Sequence, residues 1–287
     1  MPIAAIARLP PTAPLKSLKP LKSLKPLKSL KPLKPLEPTR PLTPRQNPLI
    51  ARLTAWTLGR ASLVTADSRD LLDAARRLCP GVRVELIHWG VERARFAPVP
   101  WADKPGFEAV SLRSWEPNYR IDVILRAFAQ VVAWRPDARL HLLGGGGEEG
   151  RLRRLVDDLS LQNSVQFHGR LDDAGMAAVL ARCKLSISVP ESDATSVSVL
   201  ESMACGLAVI ASDLPANRDW LDARALVPPG DVVALARGWS GLIGDGALAQ
   251  HMGRDNAERI AQGGDRRVQM DAMDALYRQL LASKARA

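Results

Sequence analysis

Followed by its apolar positions alone, the chain becomes regular only after its first fifty residues. "ASLVTADSRDLLDAARRL", Ala61 to Leu78, predicts a short strand, a turn and an amphipathic helix with Ser68 as its N-cap. "VRVELIHWGVERARF" follows as another strand with a glycine at its exit. Beyond the linker "APVPWADKPG" strands and helices alternate. Strands are predicted at Glu108–Leu112, Arg139–Leu143, Val165–His168, Leu185–Val189, Ala208–Ser212 and Ala225–Val227. Between them, "IDVILRAFAQVVAWR" places Ile121, Ile124, Leu125, Phe128 and Val132 on one helical face. "GRLRRLVDDLSL", "AGMAAVLARC", "SVSVLESMAC" and "DVVALARGWSGLI" continue the series. Apolar strands joined by such helices make βαβ units, so the expected fold class is α/β with a parallel sheet and helices on both faces. Ligands on such sheets bind beyond the carboxyl ends of the strands.

The first fifty residues obey a different rule. Residues 14–31 are three copies of "PLKSLK", and 12 of the chain's 22 prolines lie within residues 1–50. Proline fixes φ, removes a donor and biases its predecessor away from helix, so the expectation is a disordered tail with a polyproline II bias. Lysines at 16, 19, 22, 25, 28, 31 and 34 would then form one charged edge. One reading is an arm that settles on anionic lipid. The other is a repeat expansion that only stays soluble.

That tail also decides what the net charge of +10 means. It holds ten basic residues and one acidic, leaving 30 basic and 29 acidic of the chain's 40 and 30 for the rest. A nearly neutral folded part gives no electrostatic footprint for nucleic acid. The three cysteines, Cys79, Cys183 and Cys205, lack C-x-x-C spacing and read as free thiols of a reducing compartment. With no long apolar run and a start broken by Arg8 and Pro10, the expectation is a cytoplasmic protein, with peripheral contact at the inner face of the membrane as the arm's contribution.

The chemistry gathers at the predicted strand ends. "VPESDATSVSVLESMACGLAVIASD", Val189 to Asp213, runs from a strand through an acidic, hydroxyl-rich turn into a helix. A helix N-terminus with Thr195, Ser196 and Ser198 beside it suits a phosphate, and a carboxylate such as Glu201 suits vicinal hydroxyls. From composition alone, Asp193 as a mere cap and Glu201 as a solvated residue explain the pattern equally well. Gly144 to Gly147 lets a backbone approach a ligand, or simply makes a tight strand–helix turn. His168 reads as a packed ring rather than a catalyst, and His88, His141, His168 and His251 show no ligand spacing, so no metal is expected.

Asp193 and Glu201, with "SMACGLAVIASDLPANRDWL" after them, resemble the donor-site signature of family 4 (group 1) glycosyltransferases of the GT-B fold. The resemblance extends from about Ala61 to Tyr277 through "IHWGVERARFAP", "VSLRSWEPNYRIDVILRAF", "LHLLGGGGEEGRLRRL" and "VQFHGRL". It departs from the family at Asp193 and Glu92, where Glu and Asp are usual, and near Tyr119, where a Lys is expected. The resemblance implies a Rossmann-like donor half that binds a nucleoside diphosphate sugar, needs no metal cofactor and transfers the glycosyl group with retention. It implies Asp193 at the sugar and Arg113 on the diphosphate as catalytic residues. Donor contacts would come from Glu201 on the ribose, Thr195 and Ser196 on phosphate, Gly144 and Gly145 in the turn, Arg120 as a substitute cation and His168 in the loop framing the base.

Three segments are therefore expected: the tail over residues 1–50, a remnant of the acceptor half with the linker over 51–99, and the donor domain with C-terminal helices over 100–287. The rest of an acceptor half is not legible in the sequence. Three functions stay open: a glycosyltransferase completed by a partner chain or by self-association, a nucleotide-sugar binding module without turnover from a truncated gene, and a membrane- or protein-binding scaffold. Val268, Met273, Leu276 and Leu280, on a C-terminal helix that would pack toward the acceptor half, are expected to lie partly uncovered.

Overall fold

The computed structural model describes residues 4–6 and 48–285. The PLKSLK repeats, and with them the polyproline II expectation, lie outside the described residues. Their flanks differ from the expected tail in two places. Ala4–Ile6, three apolar residues free of proline, forms an edge strand, β1, and α1 already begins at Pro48 and runs to Arg60.

β1 pairs antiparallel with β2 (Leu63–Ala66), which pairs in parallel with β3 (Val84–Leu86). Between β2 and β3 lies α2 (Arg69–Leu78), where Ser68 Oγ accepts from Leu71 N as its N-cap. Leu58, Val64, Ala66, Leu71, Ala75 and Val84 form a small core of their own.

The larger sheet has six parallel strands in the order β6-β5-β4-β7-β8-β9. They are β4 (Glu108–Ser111), β5 (Arg139–Leu143), β6 (Val165–Gly169), β7 (Leu185–Ser188), β8 (Ala208–Ser212) and β9 (Leu226–Val227). Each lies within a residue of its predicted bounds, because runs such as "LSIS" and "AVIAS" are buried along their whole length. The crossovers carry α3 (Ile121–Trp134), α4 (Glu149–Asp158), α5 (Asp173–Arg182), α6 (Val197–Ala204) and α7 (Pro215–Arg218). After β9 the chain closes with α8 (Val232–Gly244), α9 (Gly246–Gly263) and α10 (Arg266–Ala285). α3 buries Ile121, Ile124, Leu125 and Phe128, and Phe128 stacks on Trp239 of α8 at 5.1 Å between centroids.

Strand order reverses between β4 and β7. The crevice above such a switch point is where an open parallel sheet leaves room for a ligand. The small unit is fastened beside that crevice. Thr195 Oγ1 donates to the Asp67 carbonyl at 2.8 Å, and Arg69 N donates to Asp219 Oδ2 at 3.0 Å. Farther back, Val91 N and Arg266 N complete a short bridge to the start of α10. As expected, α10 is thinly covered. Val268 is 60% exposed, and Met273, Leu276 and Leu280 are half-buried.

Candidate active site

Beyond β4 the chain turns outward at Arg113, and beyond β7 it runs through Asp193 to α6. Parallel pairing of β4 with β7 brings these exits side by side although they lie 80 residues apart in sequence. Arg113 Nη2 donates to Asp193 Oδ2 at 2.6 Å, and Nη1 donates to Ser196 Oγ at 2.5 Å and Ser198 Oγ at 2.9 Å. Ser196 is also the N-cap of α6, accepting from Val199 N. Asp193 is therefore not the cap. Burial holds its carboxyl above the ordinary aspartate range despite the guanidinium beside it. The Tyr119 ring, where the family expectation had Lys, covers one face of Arg113 at 4.3 Å. Arg113 Nε is buried and has no hydrogen-bond partner.

Glu201 lies three residues after Ser198 and so on the same face of α6. It is half-buried, and among the described residues nothing hydrogen-bonds its carboxylate. Burial alone pushes its pKa up to about 7. A partly open carboxyl without a partner can accept two hydroxyls from a ligand.

Three expected donor residues, Arg120, Gly144 and His168, have other work. Arg120, in the left-handed region at φ 48°, donates to Asp122 at 3.2 Å and Glu191 at 2.6 Å, so it does not replace the missing Lys as a free cation. Gly144 and Gly146 serve the protein's own packing. A Cβ at Gly144 would come within 3.0 Å of the Arg113 carbonyl oxygen, and one at Gly146 would do the same to Trp115. Gly145 is more open, facing the Arg170 side chain. The backbone N of Gly147 already donates to Glu116 Oε1 at 2.9 Å.

His168 is drawn away from the cleft. Its Nε2 lies 2.9 Å from His141 Nδ1, and His141 Nε2 lies 3.0 Å from Glu108 Oε2 at the amino end of β4. Burial, with His141 and Arg182 nearby, keeps the His168 pKa below the ordinary histidine value. The same fold gathers Glu108, His141 and Cys183, with donor atoms within 4.8 Å of one another, a set of metal-ligand types that spacing along the chain did not reveal. Here Arg182 binds the Glu108 carboxylate at 3.0 Å, Lys104 Nζ sits 2.9 Å from the Cys183 carbonyl, and burial holds the Cys183 thiol protonated. Arg182 and Lys104 thus fasten this corner of the fold through the Glu108 carboxylate and the Cys183 carbonyl.

Sequence reasoning also missed Asp67. This buried carboxyl beside the cleft accepts from Trp89 Nε1 at 3.1 Å through Oδ2, while Oδ1 has no partner. Burial raises its pKa as well. The only signal was a carboxylate one residue past a strand end in "VTADS".

Comparison with known proteins decides the family. The model of glycosyl transferases group 1 matches residues 97–259, more than half of the chain. The chain belongs to this family. As a group 1 glycosyl transferase it is 34% identical over 180 residues to an exopolysaccharide phosphotransferase of Streptomyces coelicolor, covering 57% of this chain and 19% of that protein. It is 32% identical over 180 residues to the phosphatidyl-myo-inositol mannosyltransferase of Mycolicibacterium smegmatis, covering 60% of this chain and 46% of that enzyme. The aligned parts are thus less than half of either relative's length. Among solved structures, sucrose-phosphate synthase from Thermosynechococcus elongatus superposes with a TM-score of 0.74 at 25% identity, over 83% of this chain and 63% of that one. HepE of Anabaena, crystallised with UDP, gives a TM-score of 0.74 at 19% identity, over 83% and 70%. These neighbours place the fold among GT-B glycosyltransferases, as the resemblance of the Asp193–Glu201 signature implied, and the six-stranded sheet is parallel, as the strand–helix alternation predicted.

Proposed function

We propose that the crevice between β4 and β7 binds a nucleoside diphosphate sugar, and that the chain's activity is glycosyl transfer with retention. The observation that carries this reading is Glu201, a carboxylate without a partner among the described residues, one turn along α6 from the Arg113–Ser198 contact. In the proposed complex Glu201 accepts the ribose hydroxyls, Arg113 and the backbone N–H groups at the start of α6 meet the diphosphate, and Asp193 stands by the sugar. Ser196 acts through Arg113, and Thr195 acts by holding Asp67 in place. Developing charge on the leaving diphosphate would be stabilised by Arg113 and the helix N-terminus. Neighbours crystallised with UDP and with UDP-glucose support the ligand class.

The Glu201 assignment has a pH signature. Ribose hydroxyls favour the ionised carboxylate, so binding draws a proton off a group that titrates at about 7. Nucleotide affinity is expected to rise about tenfold between pH 6 and pH 8, and Glu201→Gln is expected to remove that slope. Titration calorimetry in two buffers of different ionisation enthalpy measures both. A pH-independent affinity in the unaltered chain contradicts the assignment.

The Lys-rich arm belongs to the same reading as a peripheral contact with anionic lipid. It leads into α1, which contains no acidic residue and exposes Leu53 (57%) and Trp56 (59%), with Arg60 over the Trp56 ring at 4.2 Å. Apolar side chains flanked by cations suit a lipid interface. The full chain is expected to sediment with vesicles containing phosphatidylglycerol, and Trp56→Glu to weaken this. No sedimentation at low salt contradicts the contact.

A further inference from the structure

We infer that Asp193 is a resident counter-anion of Arg113 that a diphosphate must displace, and that it thereby sets how tightly bare nucleotide binds. The inference rests on the donor-site reading above but is testable apart from it. The Arg113 side chain is 9% exposed, and its donors are committed unevenly. Nη1 is taken by the hydroxyls of Ser196 and Ser198, the Tyr119 ring covers one face, and Nη2 goes to Asp193. That leaves Nε, buried and unpartnered, and the second hydrogen of Nη2.

A guanidinium recognises a phosphate through two parallel N–H groups. The Nε–Nη2 edge carries the free Nε donor, and Asp193 Oδ2 stands 2.6 Å from the Nη2 of that edge. A phosphate that takes both N–H groups brings its charge against the Asp193 carboxylate and must push it aside. Until it does, two anions compete for one guanidinium. Arg120 does not relieve the competition, because it is bound to Asp122 and Glu191. Displaced from Arg113, the Asp193 carboxylate becomes available to a sugar hydroxyl, so a complete donor recovers a contact that bare nucleotide does not. Asp193 thus favours donor over spent nucleotide.

The test compares the full chain with Asp193→Asn and Glu116→Gln by calorimetric titration with inorganic pyrophosphate, UDP, GDP and ADP. Glu116→Gln removes a neighbouring negative charge, releases no arginine and keeps an oxygen for Gly147 N, and Asp193→Ser serves if the asparagine variant fails to fold. Asp193→Asn is expected to bind pyrophosphate and the preferred nucleotide about tenfold more tightly, with Glu116→Gln within about twofold of the original. Equal or weaker binding in Asp193→Asn overturns the inference, as does an equal gain in Glu116→Gln. Pyrophosphate binding that Asp193→Asn strengthens, with no nucleotide binding, supports the counter-anion and removes the donor-site reading. Nucleotide binding that Asp193→Asn weakens does the reverse.

Discussion

Glu201→Gln is expected to weaken nucleotide binding by roughly 30-fold or more while making the empty protein more stable at pH 8. Both effects come from one buried carboxyl. Its folded pKa of about 7 stands above the ordinary value of 4.5, and burial is the cause. A carboxyl harder to ionise in the folded state contributes stability that is fully present below about pH 4.5 and lost as pH rises through about 7. Across that window the loss is about 3 kcal/mol. Glutamine carries no charge to desolvate, so its advantage in melting temperature should grow from nothing at pH 4.5 to its full value at pH 8. Asp67 and Asp193 also have raised pKa values, but they contribute to both proteins and cancel in the difference. Thermal melts across this range measure it. A variant less stable than the original at pH 8 contradicts the buried, unpartnered carboxyl. A site residue that destabilises its own fold is the pattern expected of ligand binding rather than packing.

Gly144→Ala is expected to cost about 3 kcal/mol of stability and to disturb Arg113 directly. Gly144 has a φ of 145°, a conformation that L side chains rarely adopt, and its new methyl would meet the Arg113 carbonyl oxygen. Neither atom can retreat, since both are strand-end backbone. Gly145→Ala is the internal control. Its Cβ would lie 3.3 Å from Arg170 Nε, the end of a flexible side chain, and its cost should stay near 1 kcal/mol or below. Differential scanning calorimetry is expected to separate the two by several degrees, and the Gly144 variant also loses nucleotide affinity. Equal melting temperatures contradict the close approach of β5's exit to Arg113.

These two substitutions mark what the sequence could carry. The six strands were legible because runs such as Leu185–Ser188 are buried end to end, and continuous burial writes itself as continuous apolarity. The cleft was legible because Asp193, Ser196, Ser198 and Glu201 lie within one strand–turn–helix unit. What escaped was set by register between distant strands. That Gly144 rather than Gly145 touches Arg113 depends on how β4 and β5 align, and four glycines in a row do not show it. Arg120 was expected at the ligand, but its left-handed backbone sends it to Asp122 and Glu191 instead. His168 met His141 because β5 and β6 pair in parallel. α9, whose buried positions are Ala249, Met252, Gly253, Asn256 and Ile260, escaped for another reason: two of its five core residues are glycine and asparagine. Gly253 is there because α9 lies against the Gly206 backbone.

The measurement that tests the central claim most directly is calorimetric titration of the full chain with UDP, GDP, ADP and their common sugars, beside Glu201→Gln. The account predicts saturable binding of one nucleotide family at a single site, tighter for the sugar-bearing form, and its weakening by roughly 30-fold or more in the folded Glu201→Gln variant. No binding by the folded, unaltered chain, or binding that the variant keeps in full, would contradict a donor site built on Glu201.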